Sequence, residues 1–181
     1  MLSESADVAD APDGIVLGRH RDLVGRTWHP WVRRSLIGIL FLIALLGLVN
    51  VFGQRPATAT TDAGPASLEV YSPARVRGGL MFETRFTIRA KQDLKNAALV
   101  LGSGWLENMT VNTIEPGPVG EASDDGKLSL ELGHIPAGKE YVLFMQFQVN
   151  PTNVGHRTQT VELRDGKQSI LTYDKTITVY P

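Results

Sequence analysis

No cysteine occurs in the 181 residues. Its absence excludes a disulfide framework, a thiolate zinc site, a cysteine nucleophile and a blue-copper centre, each of which needs sulfur from Cys. An excess of one charge is missing too: 18 Lys and Arg stand against 19 Asp and Glu. Composition therefore points to neither a nucleic-acid binder nor a polyanionic tail. The length suits one globular domain with an extra segment or two, and leaves no room for a second full domain.

One long apolar run is present. From Ser35 to Phe52, "SLIGILFLIALLGLVNVF" carries no charge, and Asn50 is its only strongly polar side chain. Eighteen residues at helical rise give about 27 Å, close to the hydrocarbon thickness of a bilayer. Trp28, Trp31, Arg33 and Arg34 stand directly before the run, whereas "GQRP" after it has only Arg55. Cytoplasmic flanks carry the Lys/Arg excess and Trp prefers the interface. The expected topology is a transmembrane helix over 35–52 with the N-terminus in the cytoplasm and everything downstream outside.

A second meaning attaches to the same residues. Arg33-Arg34-Ser35-Leu36-Ile37 fits the core of a twin-arginine export signal, and Ala57-Thr58-Ala59 offers a small-residue cleavage site. Signal h-regions are usually about 7–15 residues and only moderately apolar. This run is longer and rich in Leu and Ile, so an uncleaved signal anchor is the expectation and a processed secreted module the alternative.

On either side of the helix the composition loses apolar periodicity. Residues 1–34 are expected to be a largely disordered cytoplasmic tail with a basic juxtamembrane end supplied by Arg19, Arg21, Arg26, Arg33 and Arg34. Residues 53–67, "GQRPATATTDAGPAS", read as a flexible linker. From Leu68 the period becomes two. "LMFETRFTIRA" places Phe82, Thr84, Phe86 and Ile88 on one face and Met81, Glu83, Arg85, Thr87 and Arg89 on the other.

The alternation recurs with Leu128, Leu130 and Leu132, then Tyr141, Leu143, Met145, Phe147 and Val149, then Val161 and Leu163, and finally Leu171, Tyr173, Ile177 and Val179. "SLEVYSP" supplies a shorter first strand. Gly78-Gly79, Pro116-Gly117-Pro118, Asp124-Asp125-Gly126, Pro136-Ala137-Gly138, Pro151-Thr152-Asn153 and Asp165-Gly166 mark turns between them. Such spacing predicts an all-β domain over 68–181, an Ig-like antiparallel β-sandwich of about seven to nine strands preceded by one transmembrane α-helix.

"LGHIPAGKEYVLFMQFQVNPTNVGHRTQTVELRDG", Leu132 to Gly166, resembles the late strands of bacterial cell-surface Ig-like domains of the CARDB and conserved-repeat type. The resemblance lies in the order of strand, Pro/Gly turn, long alternating strand, Asn-Pro turn and strand. It implies a fold and no activity. "HPWVRRSLIGILFLIALLGLVNVFGQRP" is similar to small actinobacterial single-pass membrane proteins with one helix and one exported domain, which bring no active residues to transfer.

Catalytic and metal constellations are sparse in the exported part. His134 and His156 read as loop residues, and neither has a second ligand at local metal spacing. Ser103 in "LGSGW" lacks the G-x-S-x-G elbow. Glu115, Glu121, Asp124 and Asp125 bring charge without the ligand spacing of a calcium loop. Asn108-Met109-Thr110 satisfies a glycosylation sequon and reads as strand sequence.

Trp105 beside glycines is a candidate interaction residue, since large amphipathic rings anchor partners, although a Trp so placed is more often a core-capping aromatic of a sandwich. Val142 and Phe144 fall on the face opposite their strand's core row, where an open surface would be an apolar patch.

The functional expectation is a non-catalytic single-pass membrane protein presenting an extracytoplasmic binding or accessory domain to another membrane or envelope protein. No cofactor, metal, nucleic acid or small-molecule substrate is expected. The alternative is a secreted carbohydrate-binding or enzyme-accessory module exported by the twin-arginine-like signal.

Overall fold

The computed structural model describes residues 28–51 and 53–181, in two compact units divided after Leu48. Of the tail expected over residues 1–34, residues 1–27 with Arg19, Arg21 and Arg26 lie outside the described residues, as does the expected last helical residue Phe52.

In the first unit, helix α1 spans His29–Leu48, twenty residues long and apolar enough to cross a membrane. It begins earlier than the apolar run and ends sooner. Pro30 is tolerated in a first turn, where its missing N–H has no intrahelical partner to lose. At the other end Asn50 takes a left-handed φ of 54°, a conformation Asn adopts when a helix stops. Trp28 and Trp31 are exposed, and the Arg34 guanidinium stands 5.8 Å from the Trp31 ring centre.

The second unit is built of strands β1 Arg55–Asp62, β2 Ala66–Arg77, β3 Met81–Ala90, β4 Leu94–Leu101, β5 Met109–Glu115, β6 Gly120–Asp124, β7 Lys127–Ile135, β8 Glu140–Val149, β9 Gly155–Asp165 and β10 Gln168–Tyr180. A 3₁₀ turn, Ser103–Trp105, separates β4 from β5. Hydrogen bonding runs β5-β8-β3-β2-β10-β9-β4-β7-β6, with β1 added on β2.

This path curls into two layers because β2 changes partners. Residues 66–71 pair antiparallel with β3, whereas Arg75, Val76 and Arg77 pair in parallel with Thr178, Val179 and Tyr180 of β10. The switch falls at Pro73, which has no N–H for a ladder. There the β1 register slips, with Pro56 opposite Pro73 but Arg55 opposite Arg75. The result is an immunoglobulin-like β-sandwich with one parallel rung in an otherwise antiparallel pattern.

The expected linker over 53–67 is corrected by β1, which pairs with β2 from Arg55 opposite Arg75 to Asp62 opposite Ser67. Its side chains are mostly exposed, so it carries no burial alternation. Backbone pairing holds it, and composition does not record backbone pairing. With β1 the strands number ten among the described residues, and the sandwich starts at Arg55, not Leu68.

The inward rows are those of the alternating pattern. Phe82, Phe86, Ile88, Leu130, Leu143, Met145, Phe147, Val149, Val161, Leu163, Ile177 and Val179 are buried and belong to one cluster. Phe82 stacks on Phe147 at 5.4 Å between ring centres, and Trp105 packs against Phe147 at 5.4 Å and Phe86 at 5.5 Å. Every buried core member lies between Ala66 and Val179, so the sandwich closes its own core.

Candidate functional site

The candidates separate by the direction their strands force on them. Trp105 is wholly buried, and its indole N–H donates to the Thr160 carbonyl oxygen at 3.1 Å. As an interaction residue it is corrected: the 3₁₀ turn swings the ring between the layers, where its one polar atom finds a backbone acceptor. Gly104 permits that approach, because a Cβ there would stand 1.8 Å from the Thr158 carbonyl oxygen. The "LGSGW" glycine is thus a packing requirement.

Phe144 does face outward, 40% exposed, with Val142 half-buried beside it. Strand register places Phe144 opposite Arg85 and Glu115, Arg85 opposite Tyr71, and Tyr71 opposite Thr58. One row therefore crosses the outer face as Thr58, Tyr71, Arg85, Phe144 and Glu115. The Arg85 guanidinium lies 5.1 Å from the Tyr71 ring centre, a cation–π distance. Tyr71 and Phe144 flank it two strand spacings apart, about 10 Å. Below the row, Val142 sits opposite Thr87, itself nearly covered.

His134 and His156 are strand residues rather than loop residues, in β7 and β9. His134 Nε2 is 2.7 Å from Asp93 Oδ1, and His156 Nδ1 is 3.1 Å from Thr178 Oγ1. They lie at opposite ends of the sandwich and cannot share a ligand: Ile135 pairs with Leu94 at one end, Gly155 with Val179 at the other. Among the described residues no three of His, Asp and Glu come together in a metal-holding group. Ser103 is an exposed residue of the 3₁₀ turn.

One chemically distinctive group hides inside an apolar row. Lys175 has the same parity as Leu171, Tyr173, Ile177 and Val179, so its strand turns it inward. Its ammonium donates to the Pro73 carbonyl oxygen at 3.1 Å and lies 5.7 Å from the Trp105 ring centre. Burial with no carboxylate beside it lowers its pKa to about 8. Gln159, directly opposite on β9, is fully buried along with Ser72 and Thr84, and the side chains of all three have polar atoms without a protein partner. The interior is thus polar at the level where β2 changes layers.

On the outer face of the second layer, a groove of about 380 Å³ is lined by Ala97, Val119, Glu131, Gly133 and Arg164 among others. Arg164 is committed to Glu162, donating to it at 2.7 Å and holding that carboxyl below the usual range.

The sequence matches no protein-family model and no curated protein. Among solved structures, the chain is similar to the cohesin CaCohA2 from Clostridium acetobutylicum, with a TM-score of 0.44, 13% identity, and coverage of 72% of this chain and 94% of that one. It is also similar to the CARDB domain of a Pyrococcus furiosus protein solved in complex with di-metal ions, with TM-score 0.40, 12% identity and coverage of 68% and 94%. A family 123 glycoside hydrolase from Clostridium perfringens matches with TM-score 0.37 and 12% identity over 59% of this chain and 22% of that one. The first two are Ig-like folds.

Proposed function

We propose that the chain is a single-pass membrane protein, N-terminus in the cytoplasm, that holds its Ig-like sandwich outside as a non-catalytic binding module. The partner proposed is the exported part of another membrane or envelope protein. The observation that carries the binding role is Phe144, an aromatic side chain left 40% exposed on a regular strand within the Tyr71–Arg85–Phe144 row. A flat face with aromatic residues around a guanidinium has the composition of a protein-binding hot spot. The anchor is supported by α1 and by the asymmetry of Arg33 and Arg34 against Arg55 around it.

The test replaces Phe144 with a photo-crosslinking amino acid in the full chain in cells, with Gln168 on the exposed start of β10 as the control position. A discrete adduct from position 144, absent from 168 and lost when Arg85→Glu is added, is the expected result. Equal labelling at both positions overturns the assignment of this face.

A further inference from the structure

The end of the sandwich where the chain arrives from α1 differs from the opposite end in charge and in apolar exposure. Strand register gathers there the starts of β1, β3, β5 and β9 and the ends of β2, β8 and β10: Arg55 faces Arg75, Met81 faces Gln148, Met109 faces Val149, and Gly155 faces Val179. Leu80, Met81 and Val154 project at this end, 47%, 53% and 48% exposed. These are three large apolar side chains at or beside loop tips, where the packing of strands gives no reason for them.

Around them stand Arg55, Arg75, Arg77, Arg157 and His156, with Glu83, two residues from Met81 on the same exposed row, and Glu107 as acids. The guanidiniums of Arg55, Arg75 and Arg157 meet backbone carbonyl oxygens, and that of Arg77 meets an oxygen of the last residue. Arg55 donates to Val49 and Asn50, Arg75 to Val51, Arg77 to Pro181 and Arg157 to His156. Among the described residues none of these arginines is in an ion pair with Asp or Glu. At the other end Arg89 pairs with Glu140 and Lys91 with Asp62, and His134 hydrogen-bonds Asp93.

The chain also restricts where this end can go. Residues 49–54 link the last residue of α1 to the first of β1, a reach of at most about 25 Å if fully extended. Within the second unit this link is tied down, by Arg55 and Arg75 as above and by Gln54, whose side-chain amide donates to the Met81 carbonyl oxygen at 2.9 Å. If α1 spans a bilayer, the arginine-rich end lies within that reach of the surface where α1 emerges.

We propose that this end of the sandwich is a lipid-docking surface for anionic phospholipid headgroups. The guanidiniums of Arg75, Arg77 and Arg157 would meet phosphates, and Leu80, Met81 and Val154 would enter the headgroup layer, the pairing of basic and apolar groups that suits a charged membrane surface. The inference rests on the anchored reading, and its test separates the two.

Because the chain has no cysteine, a single introduced thiol can carry a fluorescent label. Leu80→Cys, Val154→Cys and, in the turn at the opposite end, Ala137→Cys are labelled in the full chain and reconstituted into phosphatidylglycerol/phosphatidylcholine vesicles containing a headgroup-level quencher lipid. Quenching at 80 and 154 several-fold above that at 137 is expected. It should fall toward the 137 level in pure phosphatidylcholine, in high salt, and in Arg77→Glu with Arg157→Glu. Equal quenching at all three positions, or no dependence on phosphatidylglycerol, overturns the docking surface while leaving the anchor standing. A chain released from the vesicles by alkaline carbonate overturns the anchor itself, and with it the tether on which the docking depends.

Discussion

Among single residues, Phe86, Phe147 and Trp105 form the aromatic centre that joins the two layers. Truncating a buried Phe costs about 3–5 kcal/mol, a large share of a small domain's stability. Phe86→Ala and Phe147→Ala should each lower the thermal melt of the domain sharply. Arg85→Ala, half-exposed on the outer face with only the Tyr71 ring to lose, should cost about 1 kcal/mol or less. A larger loss at Arg85 would mean that the strand's inner face is misassigned.

Lys175 gives a prediction of opposite sign. Its folded pKa of about 8 lies below the 10.5 of an unfolded lysine. Below pH 8 both states carry the charge and the folded state bears the full desolvation cost. Between about 8 and 10.5 the folded chain sheds a proton that the unfolded chain keeps, so this residue's contribution to stability rises with pH. Lys175→Met should therefore stabilise the domain at pH 7 by about 1–3 kcal/mol and flatten that rise. Urea melts of both forms at pH 7 and pH 10 measure it.

At the scale of elements, legibility in the sequence follows exposure to solvent. Strands β3 and β8 are buried on one face, and their alternation is enough to name their inward residues. Strand β4, "LKNAALVL", lies between β7 and β9, and Leu99, Val100 and Leu101 are all buried. Three buried residues in succession break the period of two, so alternation does not reveal the strand. Strand β1 is hidden for the converse reason, since an edge strand exposed on most positions has no pattern to show. Trp105 is open to both readings because its direction depends on a 3₁₀ turn fitted against Thr158. Lys175 sits in a legible row, but an apolar-periodicity criterion passes over a lysine.

The correction at β1 is measurable. A fragment of residues 53–181 should melt cooperatively and well above a fragment of 66–181, because only the former carries the ladder from Arg55 to Asp62 along β2. Equal melts would restore the linker. For α1, a twin-arginine translocase reads arginine specifically, whereas membrane orientation depends on positive charge. Arg33→Lys with Arg34→Lys should leave insertion and orientation unchanged, as cell fractionation and reporter fusions would show. Abolished export would instead identify a twin-arginine signal.

At the scale of the whole molecule, a core closed between Ala66 and Val179 and a separate apolar helix joined to it by residues 49–54 make a domain on a tether. The central claim is that this tether is permanent and oriented. Labelling with a membrane-impermeant maleimide in intact cells tests it directly, using Ser5→Cys and Ala137→Cys as the only thiols, with the mass of each labelled species read afterwards. A permanent, oriented anchor predicts that Ala137→Cys is labelled from outside, that Ser5→Cys is labelled only after lysis, and that both stay in the membrane at the full-length mass of 19.8 kDa. Labelling of Ser5→Cys from outside, or a soluble species beginning near Thr60, would contradict it.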